Sequence, residues 1–228
     1  MKILCLVVSP HPDDAELGIG GLIAKMTSRG QEVVLVDLTD GEPTPFGDKV
    51  KRKREADRAA RALGIKRRIN LGFTNRCLFD NPETRGALAE EIRVHRPQFL
   101  LAPHPRDSHP DHCAAAEIAA AARFWAKLTR TDFRGEPFWP PLFLQYFCSH
   151  LKYLPPVSVL IDTGPQFPAK MKSMRCYRSQ FIDNPANRFV FDFVRARDAY
   201  WGSLVNAAFA EALHCPEAIK VDLPSLLL

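Results

Sequence analysis

A chain of 228 residues, 46% of them hydrophobic, is long enough to bury the core of one substantial domain and too apolar to remain disordered. Lys and Arg number 31 against 26 Asp and Glu; the net charge of +5 suits a mildly anionic ligand, without the aromatic-interleaved basic surface of a nucleic-acid binder. No apolar run approaches the roughly 20 residues a membrane-spanning helix needs, and six scattered cysteines without a CxxC pair fit free thiols in a reducing cytoplasm.

The N-terminal stretch MKILCLVVSPHPDDAE turns acidic before any export cleavage pattern forms. Residues Lys2 to Val8 are short, β-branched and end at Ser9-Pro10, which predicts a strand buried on both faces. Ala15 to Arg29 carries apolar residues at three- and four-residue spacing and stops at Gly30, a helix with a glycine C-cap. The alternation continues with a strand over Glu32 to Leu38, the Pro/Gly-rich loop GEPTPFGD, and a charged helix from Val50 to Leu63. Further strands are predicted at Arg68 to Leu71 and Gln98 to Ala102, each followed by a helix, Glu83 to His95 and Asp111 to Lys127. After an irregular stretch, Leu142 to Cys148 and Val157 to Ile161 read as strands, and Phe189 to Leu213 as one long terminal helix. This is the pattern of a Rossmann-like three-layer α/β/α domain with a mostly parallel sheet, here a single domain over residues 1–228.

In such a sheet, with strand order 3-2-1-4-5, ligands bind beyond the carboxyl ends of the strands where the order reverses, between the first strand and the fourth. The two loops there, Ser9 to Asp14 and Pro103 to His112, hold four of the seven histidines together with Asp13, Asp14, Asp107 and Asp111. Imidazole and carboxylate are zinc donors, and three of them with one open position make a catalytic site. A neighbouring carboxylate that is not a ligand can then take a proton from water. Asp13 and Asp14 also suit a plain helix N-terminus, and Ser108 to His112 a plain helix start with Pro110 at its first position. The convergence of both loops favours the functional reading. The cluster Gly18-Ile19-Gly20-Gly21 falls inside the first helix, so it predicts close helix packing and not a dinucleotide turn. Cys113 reads as an ordinary small buried residue.

The strings HPDDAELGIGG after the first strand and PHPRDSHPDH after the fourth resemble the LmbE/PIG-L family of zinc-dependent N-acetylglucosamine deacetylases. Weaker similarity in DLTDGE, KREADRAARALGI, LGFTNR and CYRSQF is closest to the bacillithiol-biosynthesis branch, which acts on N-acetylglucosaminyl-malate. The resemblance implies one Zn2+ per chain held by His11, Asp14 and His112, with Asp13 as the base and His109, oriented by Asp111, assisting the carbonyl or the leaving amine. It places Arg52 and Arg76 near the pocket, where they would bind an acidic aglycone. It implies no role for His104 or Asp107, and the oxyanion tyrosine of some members has no clear counterpart, Tyr177 and Tyr200 being nearest in sequence. The GEPTPFGD loop lacks the Thr-Arg-Gly of many members, and Asn75 stands where an aspartate is frequent. The expectation is a cytoplasmic, homo-oligomeric hydrolase whose partner is a small amino-sugar conjugate, with no nucleic acid and no membrane span. The alternatives are a deacetylase of another amino sugar, chitobiose-type or lipid-linked, and a non-catalytic sugar-binding protein on the same fold.

Overall fold

The computed structural model describes residues 4–151 and 156–219. Four strands, β1 (Leu4–Ser9), β2 (Glu32–Thr39), β3 (Arg67–Phe73) and β4 (Phe99–Pro103), alternate with helices α1 (Asp14–Ser28), α2 (Lys49–Ala62) and α3 (Pro82–His95). Helix α4 (Pro110–Ala126), strands β5 (Leu142–Tyr146) and β6 (Val159–Asp162), helices α5 (Phe167–Met174), α6 (Arg178–Phe181) and α7 (Val190–Ser203), and strand β7 (Ala210–His214) complete the chain. The strands form one sheet of order β3-β2-β1-β4-β5-β7-β6, parallel from β3 through β5 and antiparallel where β7 meets β5 and β6. Because side chains alternate along a strand, Cys5 and Val7 of β1 face Ile19 and Ile23 of α1, while Leu6 and Val8 face Leu88 of α3 and Ile118 of α4. The order reverses at β1, so the loops after β1 and β4 open beside each other, as the sequence predicts.

One predicted element is corrected. The terminal helix ends at Ser203 instead of continuing to Leu213, and residues 210–214 form β7, inserted between β5 and β6. Ala210-Glu211-Ala212-Leu213 is made of good helix formers, but tertiary contacts override that weak preference. Glu211 is the reason. Helix α1 is kinked at Ile19 (φ −137°, ψ 27°), just where regular helical bonds would run from the Gly21 and Leu22 N–H groups to the Leu17 and Gly18 carbonyls. Glu211 accepts both N–H groups, at 2.8 and 2.6 Å. On the carbonyl side, Arg197 Nη2 donates to Leu17 O at 2.6 Å and Lys170 Nζ lies 3.5 Å from Gly18 O. Lys170 also donates to Asp198 and Glu211, both at 2.6 Å, and all three side chains are fully buried. Charges from α5, α7 and β7 thus replace the backbone bonds that the kink gives up.

The same contacts explain the glycines. A Cβ on Gly21 would stand 2.8 Å from Thr163 Cβ and 3.0 Å from Glu211 Oε1. Gly21→Ala is therefore expected to destabilise the fold by about 1–3 kcal/mol, the usual range for overpacking, measurable as a lowered urea midpoint. A variant as stable as the wild type would show that the α1–β7 contact yields freely.

The first turn of α1 is tied down by a second buried network. Arg68 of β3 binds Asp37 of β2 through two bonds, 2.6 and 2.9 Å, and Glu16 of α1 at 2.7 Å. Tyr177 donates its hydroxyl to the same Glu16 oxygen at 2.7 Å. Together the two networks fix α1 at both sides of its kink, and with it the acidic residues at its start. Among the described residues no helix is long and apolar enough to cross a membrane.

A candidate metal centre at the carboxyl ends of β1 and β4

His11 lies in the tight loop between β1 and α1, where Ser9 Oγ donates to its carbonyl at 2.7 Å. Asp14 is the first residue of α1, and its Oδ2 accepts from the His11 backbone N–H at 3.1 Å. The same oxygen lies 2.9 Å from His11 Nδ1 and 3.2 Å from Nε2 of His112, which sits in the first turn of α4. Two imidazole nitrogens and one carboxylate oxygen thus fall within 4.8 Å of one another, all buried. This is the donor set that holds a divalent transition ion with a position open to a small ligand. Its electrostatics fit a cation as well. Burial acts against charge at all three groups, yet the two rings hold the Asp14 carboxyl well below its usual range, while His11 rises to about 9 and His112 well above its ordinary value.

Asp13 turns the other way from Asp14. Its backbone has φ 124°, a left-handed value that few side chains adopt, so the site holds strain at this carboxylate. Its Oδ2 accepts from Arg52 Nη2 at 2.8 Å. Burial raises the Asp13 carboxyl to about 7 against the lowering pull of the Arg52 guanidinium.

Arg52 lines the cleft as the buried partner of Asp13, not as an open cation at its mouth. It is 3% exposed, faces inward from α2 against Asp13 and packs over the Tyr177 ring at 5.3 Å. The signal for this was present: Arg52, Glu55, Ala56, Ala59 and Ala60 recur at helical spacing and are all buried, so the charged run exposes only its other residues. Arg76 lines the cleft and donates to the Pro43 carbonyl at 2.8 Å.

A second correction concerns Asp111. Its carboxylate does not orient His109. Oδ2 lies 3.0 Å from His11 Nε2 and accepts from the Arg76 N–H at 2.7 Å, and Oδ1 accepts from the Leu78 N–H at 3.3 Å. What reaches His109 is the backbone N–H of Asp111, which donates to His109 Nδ1 at 3.2 Å. His109 is the N-cap of α4 and stacks on His112 at 4.6 Å; burial and its two neighbouring histidines push its ring down to about 4.

The cleft above these groups has a volume of about 320 Å³. Its polar side includes Arg76, His150 and Gln180, and its apolar side Leu17, Phe181, Phe189, Val190 and Phe193. His150 is a residue that sequence reasoning missed: its ring lies 5.6 Å from both His109 and His112. Its place just beyond the carboxyl end of β5, the next strand after β4, was the available signal. Neither tyrosine weighed for the oxyanion lines the cleft, since Tyr177 is spent on Glu16 and Tyr200 is 51% exposed on α7. His104 is buried against Phe147 and His214 outside the cleft. Cys113 is half-buried, with its thiol on the Asp107 carbonyl.

The model of the PIG-L family, GlcNAc-PI de-N-acetylase, matches residues 6–123. Diacetylchitobiose deacetylase of Thermococcus kodakarensis is 29% identical over 93% of this chain and 82% of its own length. A probable N-acetyl-alpha-D-glucosaminyl L-malate deacetylase 2 of Bacillus anthracis is 28% identical over 77% of this chain and 80% of its own. Among solved structures, a conserved protein of Thermus thermophilus superposes with a TM-score of 0.88 at 35% identity, covering 97% of this chain and 98% of that one.

Proposed function

This chain belongs to the PIG-L family, and from that premise we propose that it removes the N-acetyl group from an N-acetylglucosaminyl conjugate with the help of one divalent metal ion. The observation that carries the reading is the meeting of His11, Asp14 and His112 at one point, with a second carboxylate, Asp13, buried beside them at the floor of a cleft. A binding protein would have no use for that extra carboxylate.

In this reading His11, Asp14 and His112 hold the ion, and zinc is the ion that two imidazoles and a carboxylate suit best. When bound, it supplies Lewis acidity toward water and toward the amide carbonyl. Asp13 takes the proton of the attacking water at Oδ1, because Arg52 occupies Oδ2 and holds the side chain in place. Asp111 presents its backbone N–H to His109 Nδ1, so the neutral His109 ring carries its proton on Nε2. From there it donates a hydrogen bond to the carbonyl oxygen, and the departing nitrogen takes the proton that Asp13 has accepted from water. The Asp111 carboxylate serves a different ring, His11.

For the aglycone, the malate-conjugate relative supports an acidic group, which would meet the guanidinium of Arg76 on the polar side of the cleft. A second reading, a second sugar ring, is favoured by the apolar wall of Phe189 and Phe193 and by the relative named as a diacetylchitobiose deacetylase.

The test is acetate release by metal-loaded protein, with and without a chelator, from N-acetylglucosaminyl-malate, diacetylchitobiose and free N-acetylglucosamine. Release that the chelator abolishes is expected, with the malate conjugate preferred. No release from any of the three would overturn the deacetylase reading, and equal turnover of the malate conjugate and the neutral sugars would overturn the acidic aglycone alone. His112→Ala is expected to lose the metal and the activity together. Full metal retention in His112→Ala, with loss in His104→Ala, would show that the wrong histidine had been assigned.

A further inference from the structure

Each of the two histidines flanking Asp14 has a second carboxylate on its far nitrogen, one from the first turn of α4 and one from the loop before it. His11 has Asp111. His112 turns Nδ1 toward Asp107, whose Oδ2 is 3.2 Å away, at an angle short of a straight hydrogen bond. Both atoms are buried, and neither has another hydrogen-bond partner among the described residues. Asp107 is held in place independently of the ring: its Oδ1 accepts from the His109 N–H at 2.8 Å, and its carbonyl accepts from the Cys113 thiol at 3.2 Å.

We propose that Asp107 is a positioning residue for the metal centre, holding His112 in the tautomer that keeps its proton on Nδ1 and turns the Nε2 lone pair toward Asp14. The inference rests on the reading of His112 as a metal ligand. An ionised carboxylate only accepts, and a neutral imidazole has one N–H and one lone pair. With the proton on Nε2 instead, two buried lone pairs would face each other across the 3.2 Å gap and none would remain on the side of Asp14. The negative charge behind the ring also makes Nε2 a better donor.

The competing reading is a second metal position, because Asp107, His112 and Cys148 also bring three donor atoms within 4.8 Å of one another. The two positions exclude each other. A neutral ring offers one lone pair, so an ion on Nδ1 would take His112 away from Asp14.

The experiment uses the full chain loaded with zinc. Long-range 1H–15N spectra report the His112 tautomer, and competition with a chromophoric chelator reports zinc affinity. Asp107→Asn keeps the turn through its one oxygen at the His109 N–H but turns an amide NH2 toward His112 Nδ1, while Asp107→Leu removes both acceptors. In the wild type the proton is expected on Nδ1, with one zinc per chain. Asp107→Leu and Asp107→Asn are each expected to weaken zinc binding about 10- to 100-fold. A wild-type spectrum with the proton on Nε2, undiminished zinc affinity in Asp107→Leu, or a second zinc equivalent that disappears in Cys148→Ser would each overturn the proposal. If Asp107→Leu fails to fold, the wild-type spectrum decides. Zinc retained in His112→Ala would instead overturn the ligand reading beneath it, so the two failures are distinguishable.

Discussion

Asp13→Asn is expected to lower turnover by about 10²-fold or more while leaving metal content and fold intact. The amide still presents an oxygen to Arg52, which donates to the wild-type carboxylate at 2.8 Å, and Asn tolerates the positive φ of 124° about as well as Asp does. What it loses is the ability to take a proton. Because Asp13 is not among the three converging donors, its loss separates proton transfer from metal binding. The check is kcat in metal-loaded protein with stoichiometry measured on the same sample. Near-normal turnover would remove Asp13 as the base and leave the His–Asp–His site standing.

The second large effect arises outside the lining of the cleft. Lys170→Met should destabilise the protein by about 3–5 kcal/mol, the range for removing one partner of a buried charge pair. Lys170 is fully buried between Asp198 and Glu211, each at 2.6 Å, and Met fills the space without offsetting either charge. Glu211 would then protonate or pull away from the Gly21 and Leu22 N–H groups. Urea denaturation with a two-state fit measures the loss. A change below about 1 kcal/mol would mean that Asp198 and Glu211 find compensation without the lysine, and that the network is not what holds the kink.

The sequence carries the sheet up to β5 almost strand for strand, because buried parallel strands read as apolar runs and their helices end on visible signals such as Gly30 and Gly64. Position in the sheet is what makes the two histidine loops legible. What does not read through is pairing at long range. Nothing local says that the Asp111 carboxylate meets a ring 100 residues away instead of His109, two residues away. Glu211 is a similar case: within AEAL it looks like an ordinary exposed helix position, and only a kink in α1, itself visible as a glycine cluster, gives it a reason to be buried in a strand. Arg52 stands between these extremes, since helical spacing points it inward while its cationic neighbours disguise it.

The kink in α1 also orders events in time. Its substitute bonds come from residues up to 190 positions later in the chain, so on a nascent polypeptide the first helix emerges long before the groups that complete it. Contacts of such sequence separation form late, after the cost of closing a long loop has been met. Until β7 slides in between β5 and β6, two backbone N–H groups of the first helix, those of Gly21 and Leu22, are without their native partners. The kink of the first helix is then among the last features of the molecule to be completed, although its residues are among the first to be made.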